Sequence, residues 1–271
     1  MVFQIDGRNG ISLCEFLLIS RYDLVSRLPR DLEVPETVNV VSLSIQNKIN
    51  QSLRHLFGPS GKFRSEKQEE GLLATIEGKS PLFIILPTGA GKSLMFEIPA
   101  LFKGAKSTIV IVPLVGLAEN LLQRCKNNRI DTIIYGRGTP RYAKIIIIIT
   151  ETAIGSACRQ FIQDCFLDGE LQRVVFDECH MIVTEESYRP KLQELWRLSI
   201  PVQYVFMSAT YPPSFAPIFE EKMLIKEPFT VREKNEKPKF FYEVIKYEGG
   251  ILEVGRIIKS IVDLCIGERK V

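Results

Sequence analysis

From residue 81 onward, short apolar runs alternate with longer stretches of mixed character. The runs are 81–86 (PLFIIL), 108–113 (TIVIVP), 132–135 (TIIY), 144–149 (KIIIII), 173–176 (RVVF) and 203–207 (QYVFM). Each is unbroken and rich in β-branched residues, the pattern of a strand buried on both faces. Most of the gaps have room for a helix. Two of them, 93–103 (SLMFEIPALFK) and 115–125 (VGLAENLLQRC), carry apolar residues at helical spacing. Strands alternating with helices predict an α/β fold with a doubly wound, mostly parallel sheet. Ligands of such sheets bind beyond the carboxyl ends of the strands, so the polar residues that follow each run are the candidates for chemistry.

The rhythm is absent from the first 55 residues, and 30–40 (RDLEVPETVNV) reads as a loop or linker. At the other end, 232–239 (REKNEKPK) is a charged connector, followed by a strand candidate at 240–247 and a helix candidate at 251–265. The expected division is an N-terminal extension over 1–55, a main domain over 56–225, and a linker with the start of a further domain over 226–271. No internal repeat is visible.

Composition narrows the class. The chain has 271 residues, 45% hydrophobic and 25% charged, with a net charge of +3. That suits one large domain or slightly more, and permits nucleic-acid binding without arguing for it. The six cysteines, Cys14, Cys125, Cys158, Cys165, Cys179 and Cys265, include no CxxC pair, and His55 and His180 are the two histidines. Reduced thiols are expected, with no disulfide framework and no zinc site. The N-terminus makes a poor signal peptide and no apolar run reaches membrane-spanning length, so neither secretion nor a membrane partner is expected.

The first strand runs into LPTGAGKS, residues 86–93. Gly89 and Gly91 let the backbone turn tightly, and with Thr88 and Ala90 the loop aims N–H groups at phosphates. Lys92 reaches the β- and γ-phosphates, and Ser93 offers a hydroxyl to Mg²⁺. The strict pattern wants glycine at Leu86. ATP and Mg²⁺ are therefore the expected cofactors. At the end of 173–176 come Asp177 and Glu178. Asp177 suits Mg²⁺, and Glu178 suits the orientation and deprotonation of an attacking water. Alone, an acidic pair after an apolar run is an ordinary strand end. A third motif, 207–210 (MSAT), puts Ser208 and Thr210 at another strand end, where their hydroxyls could link the ATP site to a nucleic-acid surface by hydrogen bonds.

Together the three motifs resemble superfamily-two helicases of the DExH type, and more finely the RecQ family of DNA helicases. LPTGAGKSLMFEIPAL is similar to that family's phosphate loop and following helix. The resemblance implies a RecA-like P-loop domain and an ATP-driven motor. It gives Lys92, Asp177, Glu178 and His180 the catalytic roles, with His180 coupling hydrolysis to Ser208 or its neighbours. FRSEKQ at 63–68 resembles the adenine-recognition segment FRxxQ with one extra residue, which implies Arg64 and Gln68 at the adenine and Lys67 as a weaker candidate. IVPLVGLAENLLQ at 111–123 looks like a backbone-contacting motif, implying Pro113 and Leu114 at nucleic acid with Leu117 packed behind. TETA at 150–153 matches a further such motif loosely, through Thr150 and Glu151. ESYRPKLQEL at 186–195 resembles a strand-sensing loop, implying Tyr188 and Arg189, though the family's tryptophan is absent there.

The implied partner is DNA, single-stranded or forked, with RNA left open, and the implied polarity is 3′–5′ in the nucleus or elsewhere inside the cell. Such helicases place ATP between two RecA-like domains, the second supplying arginines. Residues 240–271 resemble the first strand and helix of that second domain. The expectation is that these 271 residues bind ATP–Mg²⁺ weakly, hydrolyse it slowly and do not unwind alone. A non-catalytic nucleic-acid- or protein-binding relic is the alternative.

Overall fold

The structure is a computed structural model that describes residues 36–136, 138–184, 194–195, 198, 200–234, 254–256 and 258–259, with side chains from residue 43 onward. The chain divides into a unit ending at Asn235 and a unit over 236–271. In the second unit the described residues, 254–256 and 258–259, are helical and fall inside the predicted helix. The predicted strand at 240–247 lies outside the described residues.

Seven parallel strands form one sheet in the first unit. They are β1 (Leu82–Ile85), β2 (Ser107–Val112), β3 (Thr132–Ile134), β4 (Ile145–Ile149), β5 (Leu171–Phe176), β6 (Gln203–Ser208) and β7 (Phe229–Arg232). Their order across the sheet is β3-β4-β2-β5-β6-β1-β7, and every pairing is parallel. The six strands predicted between 81 and 207 are all present. The apolar runs are continuous because alternate residues enter opposite cores. Leu82, Ile84, Val110, Val112, Ile145 and Ile147 face one cluster, whereas Phe83, Ile85, Ile109, Ile111, Ile146 and Ile148 face the other.

Helices cover both faces. The first cluster is closed by α1 (Glu36–Phe57), α2 (Glu66–Ile76), α3 (Leu94–Ala100) and α4 (Val115–Asn127). A four-residue turn, α5 (Thr150–Ala153), follows β4. The second cluster is closed by α6 (Ser156–Leu167), α7 (Met181–Thr184) and α8 (Phe215–Met223). At the centre of the second cluster, Phe83, Phe206 and Phe219 pack with centroids 5.0–5.2 Å apart, stacked or edge-to-face, a geometry that adds to their burial.

Two boundaries differ from the sequence reading. Residues 36–40 are helical rather than a linker, and α1 runs across the expected 55/56 border. Its Ile49 and Leu53 are fully buried in the first core and Ile45 and Leu56 pack beside them, because their spacing places one stripe on one helix face. At the other end, β7 falls inside the segment read as a linker. It pairs with β1 from Leu82↔Phe229 to Ile85↔Arg232, so the sheet of the main domain extends past residue 225.

Candidate active site

The strand order puts the chemistry-bearing loops side by side. β5, β6 and β1 are neighbours, and their carboxyl ends carry Asp177–His180, Ser208–Thr210 and the 86–93 loop. Backbone hydrogen bonds continue the ladder into these loops. Asp177 N donates to Ile111 O at 2.9 Å, Cys179 N to Met207 O at 3.0 Å and Leu86 N to Ser208 O at 3.2 Å. The three loops therefore stand in fixed register.

In the phosphate loop Gly89 and Gly91 have φ of +80° and +77°, the left-handed region that glycine adopts without a Cβ penalty. Thr88 and Gly89 are exposed. A Cβ at Gly91 would stand 2.3 Å from Gln68 Nε2, so a side chain there would strain the backbone and displace the Gln68 amide. Lys92 Nζ donates to Leu86 O at 3.3 Å, curling back over its own loop. Ser93 caps α3 with helical backbone angles and makes no capping hydrogen bond.

The 63–68 segment docks onto this loop. Ser65 caps α2, accepting from Gln68 N at 3.2 Å. Gln68 is buried; its Oε1 accepts from Arg64 N at 2.7 Å and its Nε2 donates to Gly91 O at 3.2 Å. Arg64 Nη1 donates to Gly89 O. Lys67 points away, exposed and paired with Glu70 at 2.5 Å. Arg64 and Gln68 thus brace the phosphate loop, and Gln68 has both ends of its amide engaged.

Asp177 and Glu178 stand at the end of β5. Burial, with the neighbouring Glu178 charge, pushes the Asp177 carboxyl up to about 6, against the opposing pull of Lys92. A hydrogen bond from His180 holds the Glu178 carboxyl below its usual range, with Lys92 adding to the effect. Glu178 has φ +50°, unusual for a residue with a side chain. Strain of this kind persists where the surroundings over-determine it. His180 Nδ1 lies 2.9 Å from Ser208 Oγ and 3.3 Å from Glu178 Oε2. One proton on Nδ1 serves both acceptors, the tautomer that a neighbouring carboxylate favours. Ser208 is fully buried and its Oγ also accepts from Thr210 N at 3.1 Å, while Thr210 itself is exposed. Cys179 is buried, and burial raises its thiol well above the ordinary value, which makes it an inert core residue.

Ser93 and Asp177 provide a hydroxyl and a carboxylate oxygen, a donor set that fits Mg²⁺, which takes one or two protein oxygens and completes its shell with phosphate and water. Among the described residues, no group of three or more His, Cys, Asp and Glu side chains converges as a metal site.

The candidate nucleic-acid positions lie on the other side of β5, since β2 and β4 follow it in the sheet. Leu114 is 48% exposed at the start of α4, while Pro113 is buried. Leu117 is exposed rather than packed behind them, because it lies one turn on along the same outward face of α4. Thr150 is buried and its hydroxyl donates to Val112 O at 3.0 Å, so it ties β4 to β2, and with Pro113 it lines a small cavity that Asp177 and Glu178 also line. Glu151 is exposed beside it. Tyr188 and Arg189 lie outside the described residues.

Sequence reasoning passed over Arg124, Ser65, Arg232 and Glu233. Arg124 on α4 holds the buried carboxylate of Glu97 on α3 at 2.7–2.8 Å. Burial raises the Glu97 carboxyl and Arg124 opposes that rise. The signal available in sequence was an acid inside the otherwise apolar run 94–101.

The DEAD/DEAH box helicase family model matches residues 65–217. Among curated proteins, the chain is 28% identical over 215 residues to the ATP-dependent helicase SGS1 of Saccharomyces cerevisiae, covering 71% of this chain and 15% of that protein. It is 25% identical over 231 residues to the ATP-dependent DNA helicase hus2/rqh1 of Schizosaccharomyces pombe, covering 77% and 17%. It is 27% identical over 205 residues to the RecQ-like DNA helicase blm-1 of Caenorhabditis elegans, covering 67% and 20%. The chain spans 15–20% of the length of these relatives. Among solved structures, S. cerevisiae Dbp5 bound to RNA and ADP BeF3 superposes with a TM-score of 0.52 at 16% identity, covering 68% of this chain and 50% of that one. The helicase MrfA bound to DNA gives 0.53 at 18%, covering 79% and 34%. These two likenesses establish the RecA-like helicase fold.

Proposed function

Because the chain belongs to the DEAD/DEAH box helicase family, we propose that its main domain is the ATP-binding and hydrolysing half of a RecQ-like DNA motor. The observation that carries this is the adjacency of three loops: a lysine-bearing phosphate loop after β1, an acidic pair after β5, and between them a buried serine after β6 that shares a histidine with the acid. Lys92, with the loop N–H groups, binds and neutralises the phosphates. Ser93 and Asp177 hold Mg²⁺, which when bound draws off charge from the phosphoryl group. Glu178, ionised and aimed by His180, orients the attacking water and takes its proton. His180 reports the state of Glu178 to Ser208 and so to the strand end that leads to Thr210.

DNA is the favoured track because curated relatives are named DNA helicases. The exposed Leu114 and Glu151, on the β2 and β4 side, are the contact candidates, with Tyr188 and Arg189 sensing a single strand. Polarity 3′–5′ and action in the nucleus or elsewhere inside the cell follow the same resemblance. Among the described residues no helix is long and apolar enough to cross a membrane. The proposed motor needs a second RecA-like domain, whose arginines would speed phosphoryl transfer by roughly 10³–10⁵, so the main domain by itself is expected to hydrolyse ATP slowly and not to separate strands.

Phosphate release measured with and without single-stranded DNA or RNA tests the proposal. Glu178→Gln is expected to keep ATP binding and lower hydrolysis at least about 100-fold, the typical worth of a positioned base. Stimulation should be larger with DNA than with RNA. Unchanged hydrolysis in Glu178→Gln would overturn the assignment of the base, and strand separation by the main domain alone would overturn the need for a second domain.

A further inference from the structure

We propose that Glu233, at the exit of β7, is a positioning residue for the phosphate loop, and that through it nucleotide occupancy is felt where the chain leaves the main domain. A continuous line of hydrogen bonds joins the two places. Ser65 Oγ donates to Glu233 Oε2 at 3.1 Å and accepts from Gln68 N at 3.2 Å. The side chain of Gln68 then reaches Gly91 O at 3.2 Å, and the backbone N of Arg64 donates to Gln68 Oε1 at 2.7 Å. The Arg64 guanidinium donates to Gly89 O, so both glycines of the loop are held by the segment that Ser65 anchors.

Glu233 suits this task on three counts. Its carboxylate lies at the N-terminal end of α2, an eleven-residue helix whose orphan N–H groups favour negative charge. Its backbone N donates to Ile85 O at 3.0 Å, the last residue of β1 before the loop begins, so one residue holds both the strand that leads into the loop and the segment that braces it. Its neighbour Arg232 donates to Tyr211 O at 2.7 Å and lies over the Tyr211 ring at 6.0 Å. Tyr211 follows Thr210 directly. Residues 232 and 233 thus touch the end of β1 and the loop after β6 together, two residues before the first unit ends at Asn235. A shift of the phosphate loop on nucleotide binding has a short, hydrogen-bonded path to this exit.

The inference rests on the reading that the 86–93 loop binds ATP. The test uses the full chain with a fluorescent ADP analogue, and trypsin cleavage after Lys234 as a second readout. Ser65→Ala and Glu233→Ala should each weaken nucleotide affinity about 10-fold, the usual effect of losing a hydrogen bond to a charged group. The double variant should be no weaker than Ser65→Ala, which already removes the link to Glu233. Glu233→Gln, whose amide oxygen still accepts from Ser65, should stay within about 3-fold of the wild type. Nucleotide should slow cleavage after Lys234 in the wild type and in Glu233→Gln, but not in Glu233→Ala. Wild-type affinity and protection in Glu233→Ala, or losses that add in the double variant, would overturn the inference. A wild-type chain that binds no nucleotide would instead remove the functional reading beneath it.

Discussion

Asp177 shows how a single residue carries both cost and function. Its carboxyl is pushed up to about 6 by burial and by the Glu178 charge, whereas an unfolded aspartate titrates near 4. The folded state thus favours the protonated form. The sign follows: without nucleotide and metal, wild-type stability is lost as pH rises from about 4 through about 6, up to about 3 kcal/mol for a two-unit shift. Asp177→Asn carries no such charge. Its melting temperature relative to the wild type should therefore climb between pH 4 and pH 7, and a constant difference across that range would contradict the assignment. The glycines of the phosphate loop make a second residue-scale case. Gly89→Ala meets open space and bears only the backbone penalty of φ +80°, whereas Gly91→Ala adds a clash with Gln68. Thermal denaturation should rank Gly91→Ala below Gly89→Ala by about 1 kcal/mol or more.

Elements explain what was legible in the chain. The Ile-rich run at 145–149 and its counterparts could be read as strands because burial on both faces leaves no polar residue to interrupt them. From there the positions of Lys92, Asp177 and Ser208 at strand ends followed without any contact information. β7 escaped notice because FTVR is a short edge strand with residues exposed on both sides, and charge begins at its last position. The first helix escaped because Val, Asn and Ser dilute it, yet Ile45, Ile49, Leu53 and Leu56 hold a helical stripe. Hydrogen-bond partners such as Ser65 with Glu233, 168 residues apart, belong to tertiary structure and leave no periodic trace in sequence. If α1 is integral to the main domain, Leu53→Ala should destabilise it by about 2–5 kcal/mol in urea denaturation, the cost of a cavity in a packed core. A change under about 0.5 kcal/mol would return the helix to the status of an appendage.

For the molecule as a whole, the sheet order divides labour. On the proposed reading, the β1–β6–β5 side would carry the nucleotide chemistry, and the β2–β4 side, where Leu114 and Glu151 are exposed, would face the polymer track. The acid pair at the tip of β5 would then stand where hydrolysis and binding meet. The central claim is that the 86–93 loop is a working ATP site and not a relic of one. Isothermal titration of ATP–Mg²⁺ into the chain and into Lys92→Ala tests it most directly. Saturable heat at one site per chain is expected in the wild type and none in Lys92→Ala. Equal heats from the two proteins, or no heat from the wild type, would contradict it.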